Sequence, residues 1–300
     1  MQVSLVVPCY NGMLYISAFF EAIRRLDIPM GFRIDLLIVD NGSTDNSVKE
    51  IRQNLKVLPT NMQGSLLQYD EKKGSYAARN YAVGQTAGEV LVFTDIDCIM
   101  PANYFIILEK ELARLPSSFI SAGKVELFLS KNPNIYEYYD FTFGFNMQSY
   151  VKEKTGVTAN AAIASTTFSN AKGFDEVESG GDRMFFKRVL NDKDVCYNYF
   201  PNLLVYHPCR NSYKELIKKA QRVGRGLAHY SSKQSKLNQA KFVVKNIIGA
   251  FIQWHQIKVI QSKKEVLKSF SIGKKLRFVG LIFWIGFYAR IYIVSKVLKS

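Results

Sequence analysis

Asp95-Ile96-Asp97 follows directly on the apolar run Val90-Leu91-Val92-Phe93, at a point where a strand must turn. Two carboxylates at such a turn can converge on one ion, and an oxygen-rich site of that kind suits Mg²⁺ or Mn²⁺. A second acid, Asp182, follows Gly180-Gly181 at the start of a helical pattern. It reads either as a plain helix cap or as a general base with room for substrate beside it. His207 ends the strand-like run Leu203 to Tyr206, as a third metal ligand or as a structural histidine. Arg79 lies one turn into a helical pattern entered through Gly74, where a guanidinium can meet phosphate or a site carboxylate. Tyr10-Asn11 and Asp40-Asn41 each stand at the end of an apolar run. Any one of these groups could be a local cap; together they look like a site.

The elements that would hold these groups alternate between strand and helix. Val3 to Val7 predicts a short strand stopped by Pro8, and Ile16, Phe19, Phe20, Ile23 and Leu26 recur at helical spacing. Leu36-Leu37-Ile38-Val39 is continuously apolar, as expected of a strand buried on both faces of a parallel sheet. Leu66 to Tyr69 predicts a third strand, Ser75 to Val83 a helix, and Val90 to Phe93 a fourth strand. That order argues for an open, doubly wound α/β layer, in which ligands bind at the carboxyl ends of strands. Residues 119–210 read as mixed, with a strand from Phe119 to Leu129, an aromatic stretch from Ile135 to Tyr150 and a helix over 182–190. From Ser212 onward the pattern is helical and basic.

Charge divides the chain in the same place. The net charge is +15 over 300 residues. Residues 1–209 hold 20 Lys+Arg against 23 Asp+Glu, or −3, and residues 210–300 hold 20 against 2, or +18. A nucleic-acid partner is not expected, because the slightly acidic front part carries the organised site. A composition 48% hydrophobic and 22% charged excludes disordered and fibrous classes. Four scattered cysteines without a CxxC pair indicate neither a zinc site nor a disulfide framework and fit a reducing compartment. No secretory signal is expected from Met1-Gln2-Val3-Ser4. Neither GxGxxG nor GxxxxGK[ST] is present.

Taken in order, Val6-Val7-Pro8-Cys9-Tyr10-Asn11, Ile38-Val39-Asp40-Asn41-Gly42-Ser43-Thr44-Asp45, Gly74, Ala78-Arg79-Asn80, Phe93-Thr94-Asp95-Ile96-Asp97 and Gly173-Phe174-Asp175-Glu176 with Gly181-Asp182 resemble the family 2 glycosyltransferases of GT-A fold. The resemblance covers roughly residues 1–210. It implies an α/β fold with an open, doubly wound, mostly parallel sheet and helices on both faces, followed by a basic helical extension over 211–300. It implies a nucleotide-sugar donor, a UDP-sugar favoured, held by Pro8, Tyr10, Asn11, Asp40, Asn41, Gly74, Arg79 and Asp95. It further implies Mn²⁺ or Mg²⁺ on Asp97, with His207 as a further ligand, and Asp182 as the base of an inverting transfer to an acceptor hydroxyl. Three positions depart from the pattern. Gly181 stands where the family commonly has Glu before Asp, and Gly12 stands where an acid usually follows Asn11. The Gln-x-x-Arg-Trp motif of processive synthases is absent, Gln221-Arg222-Val223-Gly224-Arg225 being different, so transfer of single sugars is implied. The alternatives are a non-catalytic nucleotide-sugar-binding protein and a nucleotidyltransferase; Pro8 to Leu14 lacks the basic Gly-rich loop that the latter uses.

Phe278 to Ala289 is apolar for twelve residues until Arg290 interrupts, short of the roughly 20 residues of a membrane span. Lys274, Lys275 and Arg277 precede it, and Lys296 and Lys299 follow. The run reads as a core helix or as a helix lying on an anionic membrane surface. The second reading predicts a cytoplasmic protein peripherally bound to the inner membrane face, with a glycan or lipid-linked acceptor and the aromatic stretch Tyr136 to Phe145 on the acceptor side.

Overall fold

A computed structural model describes residues 1–253, 256, 257, 259, 260, 264–268 and 270–299; His255, which carries no signal in the sequence, lies outside them. Seven strands form one sheet: β1 Gln2–Cys9, β2 Arg33–Asp40, β3 Met62–Gln68, β4 Val90–Phe93, β5 Phe119–Phe128, β6 Ala161–Ala164 and β7 Cys196–Pro208, in the order β3-β2-β1-β4-β6-β5-β7. The helices are α1 Met13–Arg24, α2 Ser47–Asn54, α3 Ser75–Val83, α4 Tyr104–Leu112, α5 Ile135–Phe143, α6 Met147–Lys152, α7 Ser165–Asn170 and α8 Gly181–Val189, then α9 Tyr213–Ser232, α10 Lys236–Ile252, α11 Lys264–Lys268 and α12 Ile272–Val297. The chain falls into two compact units, one of residues 1–126, 147–177 and 181–207, the other of 127–146, 178–180 and 208–300.

In the first unit β1, β2, β3 and β4 pair in parallel, and β6 pairs antiparallel with both β4 and β5. Both faces are covered. Val6, Leu37, Val39, Leu91 and Phe93 pack with Tyr76, Ala78 and Ala82 of α3 and with Phe168, Phe185 and Phe186 of α7 and α8. The alternate residues Leu5, Val7, Leu36 and Ile38 are equally buried, as both faces of a parallel sheet require. Two features differ from the sequence expectation. β1 runs through Pro8 to Cys9 instead of stopping. Its pairing with β4 ends at Val6↔Phe93, so at Pro8 the strand has β2 on one side alone and the missing N–H breaks no ladder bond. β6 is Ala-Ala-Ile-Ala, whose small residues carry almost no strand signal.

In the second unit α12 packs chiefly on α9 and α10 and also touches α5. It buries Phe278, Ile282, Ile285, Ile293, Val294 and Val297. Arg290 does not end it: 26 residues at 1.5 Å each make about 39 Å, and with a mean hydropathy of 1.7 over its most apolar 18 residues it is long and apolar enough to cross a membrane by length and composition. The aromatic segment is built into this unit as well. Tyr138, Tyr139 and Phe143 pack on a cluster of Phe270, Phe278 and Ile282, with the Tyr138 and Phe270 rings edge-on at 4.7 Å.

Candidate functional site

The strand order reverses direction around β1, which has β2 on one side and β4 on the other. Ligand crevices of open α/β sheets form at such a reversal, beyond the strand carboxyl ends. Asp40 is the last residue of β2 and is only 3% exposed. One carboxylate oxygen accepts from the N–H groups of Gly42 (3.2 Å) and Ser43 (3.1 Å); the other is buried without a partner. A buried acceptor left open is costly unless a ligand donor completes it. Asn11, at φ 49°, ties the loop after β1 to the loop after β2: its N–H donates to the Ser43 Oγ and its Oδ1 accepts from the Thr44 N–H, both at 2.8 Å. Pro8 is buried in the strand, whereas Tyr10 is 60% exposed. Asn41 is occupied by backbone. It donates to the carbonyls of Tyr69 (2.7 Å) and Lys72 (2.9 Å) and accepts from the Gly74 N–H (2.7 Å), fixing the entry to α3. Gly74 holds φ at +128°, a conformation that side chains disfavour, with open space around it.

Two successive residues of α3 face two different loops. Arg79, 2% exposed, donates to Asp95 through one Nη, while its Nε is buried without a partner. Asn80 clamps the loop before α8 by accepting from the Phe174 N–H and donating to its carbonyl, both at 2.9 Å. Beyond β4, Asp95, Asp97 and Cys98 each offer a ligand atom, all within 4.8 Å of one another. His207, buried at the end of β7, brings its Nε2 to 3.3 Å from Asp97 Oδ2. Carboxylates and an imidazole fit Mn²⁺ or Mg²⁺; the thiol is the soft outlier, and burial, helped by Asp97 and Asp95, pushes it well above its usual titration range.

Asp182 stands in the first turn of α8. Its Oδ1 accepts from the Arg183 N–H (2.8 Å) and its Oδ2 from the Thr158 N–H (3.4 Å), and the Tyr76 hydroxyl favours the charged form of the same carboxylate. Burial raises its titration above the ordinary carboxylate range, against those hydrogen bonds and the Arg79 charge. It is therefore both a helix-end acceptor and a carboxylate of raised basicity. Tyr76, which sequence reasoning missed, also lies under the Arg79 guanidinium, 5.6 Å from its carbon to the ring centroid. Its only signal was its place three residues before Arg79 on one helix face.

The same ring accounts for Gly181. A Cβ there would stand 2.8 Å from Tyr76 Cε2 and 2.8 Å from the Asp175 carbonyl, so no side chain fits. Gly12 has a similar cause, since a Cβ would lie 2.9 Å from Cys9 Sγ and 3.2 Å from Ile96 Cγ2.

Residues 4–166 match the sequence profile described as Glycosyl transferase family 2. A curated relative, Glycosyltransferase AglE of Haloferax volcanii, is 30% identical over 228 residues, spanning 75% of this chain and 72% of that protein. Among solved structures, Staphylococcus aureus TarS 1–349 in complex with UDP-GlcNAc superposes with a TM-score of 0.57 at 16% identity, covering 99% of this chain and 89% of that one. The mannosyltransferase PcManGT from Pyrobaculum calidifontis, in complex with GDP-Man and Mn²⁺, gives 0.60 at 16% identity, covering 99% and 86%. The fold is GT-A, and the chain belongs to glycosyl transferase family 2: it is a glycosyltransferase.

Proposed function

We propose that this protein is a metal-dependent, inverting enzyme that moves one sugar from a nucleotide-sugar, a UDP-sugar favoured, to a hydroxyl of a glycan or lipid-linked acceptor. The observation that carries the reading is the placing of Asp97 and His207 at two strand ends, 3.3 Å apart, in the unit that also holds Asp182 at raised basicity. The open oxygen of Asp40 would accept from the nucleoside base, with exposed Tyr10 beside the same crevice and Pro8, Asn11, Asn41 and Gly74 shaping it. Arg79 orients Asp95 toward the donor, and Asp97 with His207 would hold the cation. Bound by these residues, a divalent ion would supply positive charge against a departing diphosphate. Asp182 takes the proton from the acceptor hydroxyl, making the oxygen nucleophilic as it attacks the sugar carbon from the face opposite the leaving group. Support for the donor class comes from the structural neighbours that hold UDP-GlcNAc, and GDP-Man with Mn²⁺.

The same reading places the protein in the cytoplasm, peripherally bound to the inner membrane face. The support is the +18 of residues 210–300 and the exposed apolar side chains of the helical unit. Calorimetric titration of UDP with and without Mn²⁺ tests the metal site: Asp97→Ala is expected to abolish the metal-dependent part of the affinity with the fold intact. A variant that keeps metal-dependent binding removes Asp97 as ligand. Replacing His207 is expected to weaken that dependence, and unchanged affinity returns it to a structural role.

A further inference from the structure

α10 is apolar on both sides. Its inner side chains Phe242 and Val243 pack against Ala228, Ile293 and Val297, and Asn246 and Ala250 are buried. Its outer face should then be polar, as on an ordinary surface helix. Instead Leu237, Val244, Ile248 and Phe251 form an exposed stripe at helical spacing, Phe251 at 71%. The helix has no acidic residue and carries Lys236, Lys241 and Lys245. Along this face runs an open groove of about 660 Å³: Val244, Ile248 and Ile252 form its apolar wall, and Lys241, Lys245 and Arg290 bring three cations to it. Arg290, the charge that interrupts the apolar run of α12, reaches this groove because position 249 is glycine; a Cβ there would lie 1.9 Å from its Nη1. No carboxylate pairs with Lys241, Lys245 or Arg290 among the described residues.

We infer that α10, with Arg290 of α12, is the bilayer-contacting surface, and that its groove takes the phosphate and upper acyl chain of an anionic phospholipid. An apolar wall beside three uncompensated cations matches the two halves of such a lipid, whereas a protein partner would have to supply acids against a face that is mostly aliphatic. This inference rests on the peripheral-membrane reading and moves the contact from the mid-part of α12, where Phe278, Ile282 and Ile285 are buried in packing, to α10, where the exposed apolar stripe lies beside three cations.

The test is co-sedimentation of the full chain with vesicles of phosphatidylcholine alone and of equal parts phosphatidylcholine and phosphatidylglycerol. The chain is expected to pellet with the anionic vesicles. Each cation near such a surface is worth about fivefold in binding, so the triple variant Lys241→Gln, Lys245→Gln, Arg290→Gln is expected to bind about a hundredfold more weakly. Val244→Ser with Ile248→Ser is expected to lose binding with all charges kept. The comparison variant Lys274→Gln, Lys275→Gln, Arg277→Gln removes as many charges from the start of α12 and is expected to lose far less. Equal losses from the two triple variants, or full binding by the serine variant, would overturn the assignment to α10 and leave the membrane reading standing. Failure of the unaltered chain to pellet at low salt overturns both.

Discussion

Asp182 shows how a position with two readings acquires one chemistry from its neighbours. Its carboxylate is reached by Tyr76 and Arg79 from α3, by the Thr158 N–H and by the Arg183 N–H of its own helix. Burial raises its titration, so a base at this position loses its proton only above the ordinary carboxylate range of about 4. Activity that needs the charged form falls as pH drops through that raised value. Asp182→Asn is expected to bind donor normally and lose about 10²–10⁴-fold in transfer; turnover within a few-fold of the unaltered enzyme would leave it a helix cap. Tyr76→Phe removes a hydroxyl that favours the charged carboxylate. The acid limb of kcat/KM should therefore move to higher pH and kcat should fall, with donor KM unchanged. A limb that stays in place would make Tyr76 a packing residue only. The positions of Asp95, Asp97, Arg79 and Asp182 were legible because each follows closely on an apolar run or a glycine, where a strand ends or a helix begins. Tyr76 was not, since an aromatic on an apolar face looks like core, and only the fold brings Gly181 against its ring.

Among the elements, α3 and β4 are legible to the residue: each is a compact pattern closed by glycine or acid, over Ser75–Val83 and Val90–Phe93. β6 is not, because its extended state is imposed by β4 and β5 and not by its alanines. The aromatic segment shows the same limit, because its rings advertise burial without naming the surface they cover. On α5 the buried acid Asp140 accepts from the Arg210 N–H (3.0 Å), Arg210 Nη1 (2.9 Å) and Lys219 Nζ (3.0 Å). Burial, with the Arg210 charge, lowers the Lys219 amine to about 8. Burial opposes ionisation of Asp140 too, but Lys219 and Arg210 outweigh it and hold the carboxyl below its usual range. Removing one partner leaves two cations uncompensated, so Asp140→Asn is expected to cost about 3–5 kcal/mol and roughly 10 °C in Tm. The stability Asp140 contributes is complete above the ordinary carboxylate range and is lost as pH falls through its lower folded value. Melting curves should therefore differ at neutral pH and converge only well into acid; equal Tm values at pH 7 would show the triad to be dispensable.

At the scale of the whole molecule, charge is the property most unevenly spread, −3 over residues 1–209 and +18 over 210–300. Attraction of such a region to an anionic surface acts over a Debye length of about 30 Å at 0.01 M salt and about 3 Å at 1 M. Binding of the full chain to anionic vesicles is thus expected to fall steeply as salt rises, with the apolar stripe supplying a residue that salt does not remove. Cutting the chain after about Lys264 is the obvious way to remove the tail, but α12 supplies Phe278, Ile282, Ile285, Ile293, Val294 and Val297 to the core of the helical unit. At about 1.5–3 kcal/mol for each buried side chain, their loss is comparable to the roughly 5–15 kcal/mol that holds a typical domain folded. The shortened chain is therefore expected to lose the thermal transition of residues 208–300 along with any membrane binding, as calorimetry of both chains would show. If instead it melts as the full chain does, α12 contributes nothing to that core, and its 26 apolar-rich residues would be available to the bilayer.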